Sequence, residues 1–116
     1  MNIGKHGENL AVEYLERNGY DIIARNFRCR VGEIDIVARD RAHTETIVIL
    51  EIKTRKTFHY GLPCESINDE KKKRVKKAAE IYAACNNQHT SGFRLDVIEI
   101  LLMNGKTYIK HIKNAF

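Results

Sequence analysis

The chain has 116 residues, 43% of them hydrophobic, and a formal net charge of +5 at neutral pH. A single proline among seven glycines excludes a collagen-like or low-complexity chain, and no apolar run approaches the ~20 residues that a membrane helix needs. The surplus of Lys and Arg favours an anionic partner, while Cys29, Cys64 and Cys85 lack any CxxC spacing and read as reduced thiols. With no secretory signal, repeat or linker, the expectation is one cytoplasmic domain over residues 1–116 with no membrane segment.

Residues 4–18 predict a first helix. Gly7, Leu10, Ala11, Tyr14 and Leu15 recur at helical spacing and form a stripe for the core. Asn18-Gly19 is a stop signal, the glycine being free to take a left-handed cap. Glu8 borders the apolar stripe; by position alone it is a first-turn acid that favours the helix dipole. Residues 20–30 predict a first strand with Ile22, Ala24 and Phe27 in its apolar pattern. Arg25, Arg28 and Arg30 along it either hold phosphates or guard an edge strand against aggregation.

Two further strands follow, GEIDIVARD over 32–40 and IVILEIKTR over 47–55, joined by the short polar break RAHTET. Side chains alternate between the faces of a strand. Alternation puts Glu33, Asp35 and Val37 on one face of the first and Ile34, Ile36 and Ala38 on the other. In the second, Ile47, Ile49, Glu51 and Lys53 oppose Val48, Leu50 and Ile52. Acids and a lysine thus lie inside sequences apolar enough to be central strands, where unpaired charge costs several kcal/mol. A hairpin brings Asp35 near Glu51 and Lys53; neighbouring carboxylates repel, and a divalent cation would relieve them.

Residues 56–65, KTFHYGLPCE, break the pattern at Gly61 and Pro63 and predict a loop bordering that site. Phe58, His59 and Tyr60 there either pack onto the core or stack on a base. The five histidines show no ligand spacing, which argues against zinc. Ser66 or Asn68 caps a second helix reaching about Cys85, with Val75, Ala78, Ala79, Tyr82 and Ala83 facing inward. Its first half, KKKRVKK, holds six cations in seven residues. Such a run is a solvated face or a phosphate-binding one. Residues 86–92 form a polar loop. Residues 93–102 predict a strand buried on both faces and interrupted by Asp96, which pairs with a nearby arginine or edges the site. Asn104-Gly105 is a two-residue hairpin turn into a last strand over 107–113. A helical crossover between the third and fourth strands makes the sheet mixed.

Asp35, followed after a hairpin by Glu51-Ile52-Lys53, resembles the metal-dependent nuclease motif written PD-(D/E)xK. The wider set of GKHGENLAVEYLERNGY, RNFRCRVGEIDIVARD, VILEIKTR, YGLP and FRLDVIEI is similar to the YraN family of small bacterial proteins, in one order over nearly the whole chain. That family resembles Holliday-junction resolvases in fold. The resemblance implies an α/β, restriction-endonuclease-like mixed sheet flanked by helices in the order αβββαββ. It also implies a metal-dependent nuclease, with Glu8, Asp35, Glu51 and Lys53 as its catalytic set. Mg²⁺ or Mn²⁺ would be held by Asp35 and Glu51, with the Ile52 carbonyl and Glu8 completing the site. Lys53 would hold the attacking water or neutralise developing charge.

The charge pattern places nucleic-acid contacts at Arg25, Arg28, Arg55, Lys71, Lys72 and Lys76, with DNA before RNA as the partner. Recognition would be of backbone or branched shape rather than sequence. The resolvase likeness implies a homodimer, because a four-way junction needs paired cuts. The competing readings are a non-cleaving nucleic-acid- or partner-binding module, whose acids and lysine form a buried ion-pair network, and a scaffold protein docking through its basic helix.

Overall fold

The computed structural model describes residues 2–43, 46–56, 68–86 and 93–115. The expected loop over 56–65 lies, but for Lys56, outside the described residues, as do residues 87–92. The element order is α1 (Ile3–Arg17), β1 (Tyr20–Cys29), β2 (Gly32–Asp40), a 3-10 turn (Arg41–His43), β3 (Ile47–Arg55), α2 (Asp69–Cys85), β4 (Phe93–Met103) and β5 (Lys106–Ile112). This is the αβββαββ order read from the sequence, and the fold is α/β.

The five strands form one sheet in the order β1-β2-β3-β4-β5. β3 and β4 run parallel, and every other neighbouring pair is antiparallel. The parallel pair follows from the chain passing through α2 between the two strands, since parallel neighbours need such a crossover. The Asn104-Gly105 turn has φ of 54° and 73°, the left-handed pair that a two-residue hairpin demands.

The helices cover opposite faces. Ala11 and Leu15 of α1 pack with Ile36, Ala38, Val48, Leu50, Ile98 and Ile100. Val75, Ala78, Ala79 and Tyr82 of α2 pack with Val37, Ile47, Ile49 and Leu95. The two sets interleave along the strands, as the two faces of a central sheet must. Asn2 and Asn68 cap the helices, their side chains accepting from the backbone N–H groups of Lys5 and Lys71 at 3.1 and 2.8 Å. Each satisfies one of the donors a helix start leaves open.

Strict alternation fails in the first hairpin. The pairing of β1 with β2 shifts between Ile22 and Ala24, so Ile22 packs toward α1 while Ala24 and Phe27 pack toward α2. Ile34 likewise joins the α2 cluster, not the face of Ile36 and Ala38 that alternation assigns to it. The cause is local. Ile34 pairs with Phe27, Phe27 lies against the Tyr82 ring of α2 at 5.2 Å, and the intervening Asn26 takes a left-handed φ of 53°.

Asp96 has the arginine partner expected of it, within a larger network on the α1 face. The Arg94 guanidinium donates to both Asp96 oxygens at 3.0–3.2 Å, to Asp40 at 3.1 Å and to the Tyr20 hydroxyl at 2.7 Å. His111 joins Asp96 at 2.7 Å and the Tyr14 hydroxyl at 3.0 Å. Burial alone would raise the Asp96 carboxyl. Its bonds with His111, Arg94 and the Asn114 N–H outweigh burial and hold it below the usual range.

Candidate functional site

Strands β2 and β3 pair from Arg39↔Ile47 to Ile36↔Leu50 and no further. Beyond that point Asp35 has no ladder partner on β3, which leaves a gap between the strands. Its carboxylate fills the gap, with Oδ2 accepting the Ile52 N–H at 2.8 Å. That bond replaces the backbone partner Ile52 would otherwise lack on this side. Clefts open from Asp35 toward both faces of the sheet. The cleft toward α2, about 200 Å³, is bounded by Glu33, Asp35, Glu51, Lys71 and Arg74. The cleft toward α1, about 250 Å³, is bounded by Glu8, Asn26, Glu33, Asp35, Ile52 and Thr54.

The acids are held differently. Glu51 is buried, and its Oε1 lies 2.7 Å from Lys71 Nζ and 3.6 Å from Lys53 Nζ. Glu8 does not point into solvent: its side chain is 12% exposed and accepts from Arg25 Nε at 2.9 Å and Asn26 Nδ2 at 3.1 Å. Among the described residues the Ile52 N–H makes the one hydrogen bond to the Asp35 carboxylate, and the Lys71 charge attracts it from farther off. Burial, followed by the Glu51 charge, pushes its carboxyl up to about 7, against the opposing pull of the Ile52 N–H; Glu8 and Glu33 add smaller repulsions. The Lys71 ammonium behaves oppositely. Burial would lower its pKa, but the Glu51 carboxylate more than offsets this and raises it.

Glu8 reaches this position because α1 lies unusually close to β3. A Cβ on Gly7 would fall 1.8 Å from Thr54 Oγ1. Only glycine lets the first turns of α1 settle onto the end of β3, one residue from Glu8.

The expected residues therefore divide. Asp35, Glu51 and Lys53 converge, with the Ile52 backbone between them, and Glu8 shares a cleft with Asp35. Among the described residues no group of three or more His, Cys, Asp or Glu side chains is placed to hold a metal ion. Asp35 and Glu51 alone still fit the chemistry of Mg²⁺, which commonly takes one or two carboxylates and completes its shell with water and substrate phosphate.

Of the expected nucleic-acid contacts, Lys71 lies in the site itself rather than on an outer surface. Arg25 is committed to Glu8 and to Asn9, whose Oδ1 accepts from it at 2.6 Å. Arg28 pairs with Glu33 at 3.4 Å, both exposed. Arg55 ends β3; Lys72 is partly exposed and Lys76 exposed along α2. Arg74 was not singled out from the sequence, yet it lines the α2 cleft. The signal was present: residues three apart on a helix share a face, and Arg74 follows Lys71 by three.

The β2–β3 hairpin thus parts at an aspartate and carries Glu-x-Lys on its second strand. The chain belongs to the family described as Uncharacterised protein family UPF0102, whose model matches residues 7–100. It is 47% identical to a UPF0102 protein of Caldicellulosiruptor bescii, covering 98% of this chain and 96% of that one. It is 45% identical to one of Clostridium botulinum, over 99% and 94% of the two chains, and 48% identical to one of Geobacter metallireducens, over 99% and 92%. No described helix is long and apolar enough to cross a membrane.

Proposed function

We propose that this protein is a divalent-metal-dependent nuclease acting on the phosphodiester backbone of nucleic acid, DNA before RNA, with branched structures as the preferred substrates. The observation that carries the reading is the pair Asp35 and Glu51 at the parting of β2 and β3. The two carboxylates are close enough to perturb one another, and among the described residues Asp35 forms no ion pair, the Lys71 charge reaching it only at longer range. Protein interiors do not retain such an arrangement cheaply; a cation bridging the acids relieves it.

Asp35 and Glu51 would hold Mg²⁺ or Mn²⁺, with the Ile52 carbonyl and Glu8 available to complete or orient the shell. A bound ion lowers the pKa of water and stabilises charge on phosphoryl oxygens. Lys53, beside Glu51, holds the water in line or neutralises charge as the leaving oxygen departs. Lys71 and Arg74 line the α2 cleft and favour a phosphate at its mouth.

The non-cleaving reading has one observation in its favour. Lys71, Lys53 and Glu51 already form an ion-paired set that needs no metal. The two readings separate in a panel of branched, flapped, single-stranded and duplex substrates with Mg²⁺ or Mn²⁺, run beside Asp35→Asn and Lys53→Ala. The nuclease reading expects metal-dependent cutting that Asp35→Asn abolishes, since an amide is a poor ligand, and Lys53→Ala that keeps metal binding but loses cutting. No metal binding, together with a destabilised Asp35→Asn protein, returns the site to a structural role.

A further inference from the structure

We propose that Lys71 is a latch on Glu51: in the free protein its ammonium occupies the carboxylate that a divalent cation would use, and a nucleic-acid phosphate draws it away, so that cation and nucleic acid bind cooperatively. The inference rests on the nuclease reading above and adds to it an order of events and a residue outside the Asp35, Glu51, Lys53 set.

The geometry is specific. Lys71 Nζ stands 2.7 Å from Glu51 Oε1, while Lys53, the lysine of the Glu-x-Lys triplet, stands at 3.6 Å from the same oxygen. The lysine from the helix, not the one from the strand, therefore makes the closer pair. Its backbone is fixed, because the Lys71 N–H is the donor held by the Asn68 cap at 2.8 Å. Its four-carbon stem is flexible, so the ammonium can move several ångströms without disturbing α2. Its side chain is 31% exposed, which leaves it reachable from solvent, whereas the Glu51 side chain is only 10% exposed.

Charge supplies the switch. Two ammonium groups, Lys71 and Lys53, already face the Glu51 carboxylate, so a cation must compete with them for that oxygen. Bringing a dication to Glu51 with Lys71 still in place sets like charges within a few ångströms in a partly buried cleft. A phosphate at the mouth of that cleft changes the balance. Arg74, one turn along α2, lines the same space, and Lys72 and Lys76 continue the positive surface outward. A phosphate there is a better partner for Lys71 than a carboxylate that is about to be shared with a cation. By linkage, whatever factor the nucleic acid adds to cation affinity, the cation adds to nucleic-acid affinity.

The test is calorimetric titration of Mn²⁺ into wild type, Lys71→Met and Lys72→Met, with Lys72 as the control for loss of one charge from the same helix. Lys71→Met should bind Mn²⁺ about tenfold more tightly than wild type, and Lys72→Met within about twofold of it, a typical size for coupled sites. Lys71→Gln gives the same readout should the methionine variant not fold. With a saturating phosphorothioate duplex present, wild type should gain about the same tenfold and Lys71→Met almost nothing. A Lys71→Met affinity equal to wild type or to Lys72→Met overturns the latch while leaving the metal site intact. So does a gain from the duplex that is equal in wild type and Lys71→Met, or absent from wild type. If none of the three proteins binds Mn²⁺, the latch and the nuclease reading fall together.

Discussion

Asp35 is the residue at which folding and chemistry conflict. Its carboxylate is needed to satisfy the Ile52 N–H where β2 and β3 part, yet burial and Glu51 oppose its charge. Folded Asp35 keeps its proton up to about 7, whereas the unfolded carboxyl releases it near its ordinary value of 3.8. Between those values the folded state binds more protons, so metal-free stability falls as pH rises through that window, by an amount on the order of a few kcal/mol. Asparagine keeps the oxygen that accepts from Ile52 and has no charge to suppress. Metal-free Asp35→Asn is therefore expected to melt higher than wild type at pH 7–8 and to lose the difference near pH 4. Thermal melts across that range check this; a variant less stable than wild type at pH 8 contradicts it. Added Mn²⁺ should reverse the order by stabilising wild type alone.

At the scale of elements, the contact of α1 with β3 carries the site. Gly7 is buried, and any side chain there meets Thr54 at both Oγ1 and Cβ. Gly7→Ala would normally gain helix propensity, roughly 1 kcal/mol. Here overpacking against the strand outweighs that gain, and a net loss of about 1–3 kcal/mol is expected in denaturant melts. Thr54→Ser leaves the offending oxygen in place, whereas Thr54→Ala removes the atom nearest the new Cβ. Gly7→Ala/Thr54→Ala should therefore recover stability that Gly7→Ala/Thr54→Ser does not. Because Glu8 follows directly, Gly7→Ala should also break the Glu8–Arg25 pair.

Across the whole molecule, the Arg94–Asp96 network joins α1, β1, β2, β4 and β5 through Tyr14, Tyr20, Asp40 and His111. Asp96 is fully buried, so its loss leaves Arg94 and His111 short of a partner. Asp96→Ala should cost about 3–5 kcal/mol, the usual cost of breaking a buried pair from one side. Since the carboxyl is held below its ordinary range, the stability it contributes is present above about pH 4 and disappears as pH falls through the lower folded value. That is opposite in sign to the effect of Asp35, and the pH profiles of the two variants distinguish the sites. On the surface, the basic face of α2 should make nucleic-acid binding steeply salt-dependent. Lys72→Ala with Lys76→Ala should reduce the slope of log affinity against log salt by up to about 2. An unchanged slope removes this face from the interface.

Element order, the Asn18-Gly19 stop, the Asn68 cap and the hairpin turn were legible because each depends on neighbours a few residues away. Apolar spacing marked the inner stripes of α1 and α2, and Asn104-Gly105 supplied the two left-handed residues its turn requires. The convergence of Asp35 with Glu51 was legible for the same reason, since a six-residue break between strands leaves a hairpin as the local solution. Tertiary contacts decided the rest. The shift at Ile23, the left-handed Asn26 and the Phe27–Tyr82 stacking turned Ile34 to the α2 side, against the period-two pattern. The partner of Asp96 was foreseen as an arginine, but its links to Tyr14, Asp40 and His111 join residues far apart in the chain. The same holds for Lys71. A run of six cations looks alike along its length, and only the packing of α2 across the sheet selects the one that reaches Glu51. Local physics fixes periodicity, whereas which side chains meet at the parting of two strands is settled by how elements distant in sequence pack.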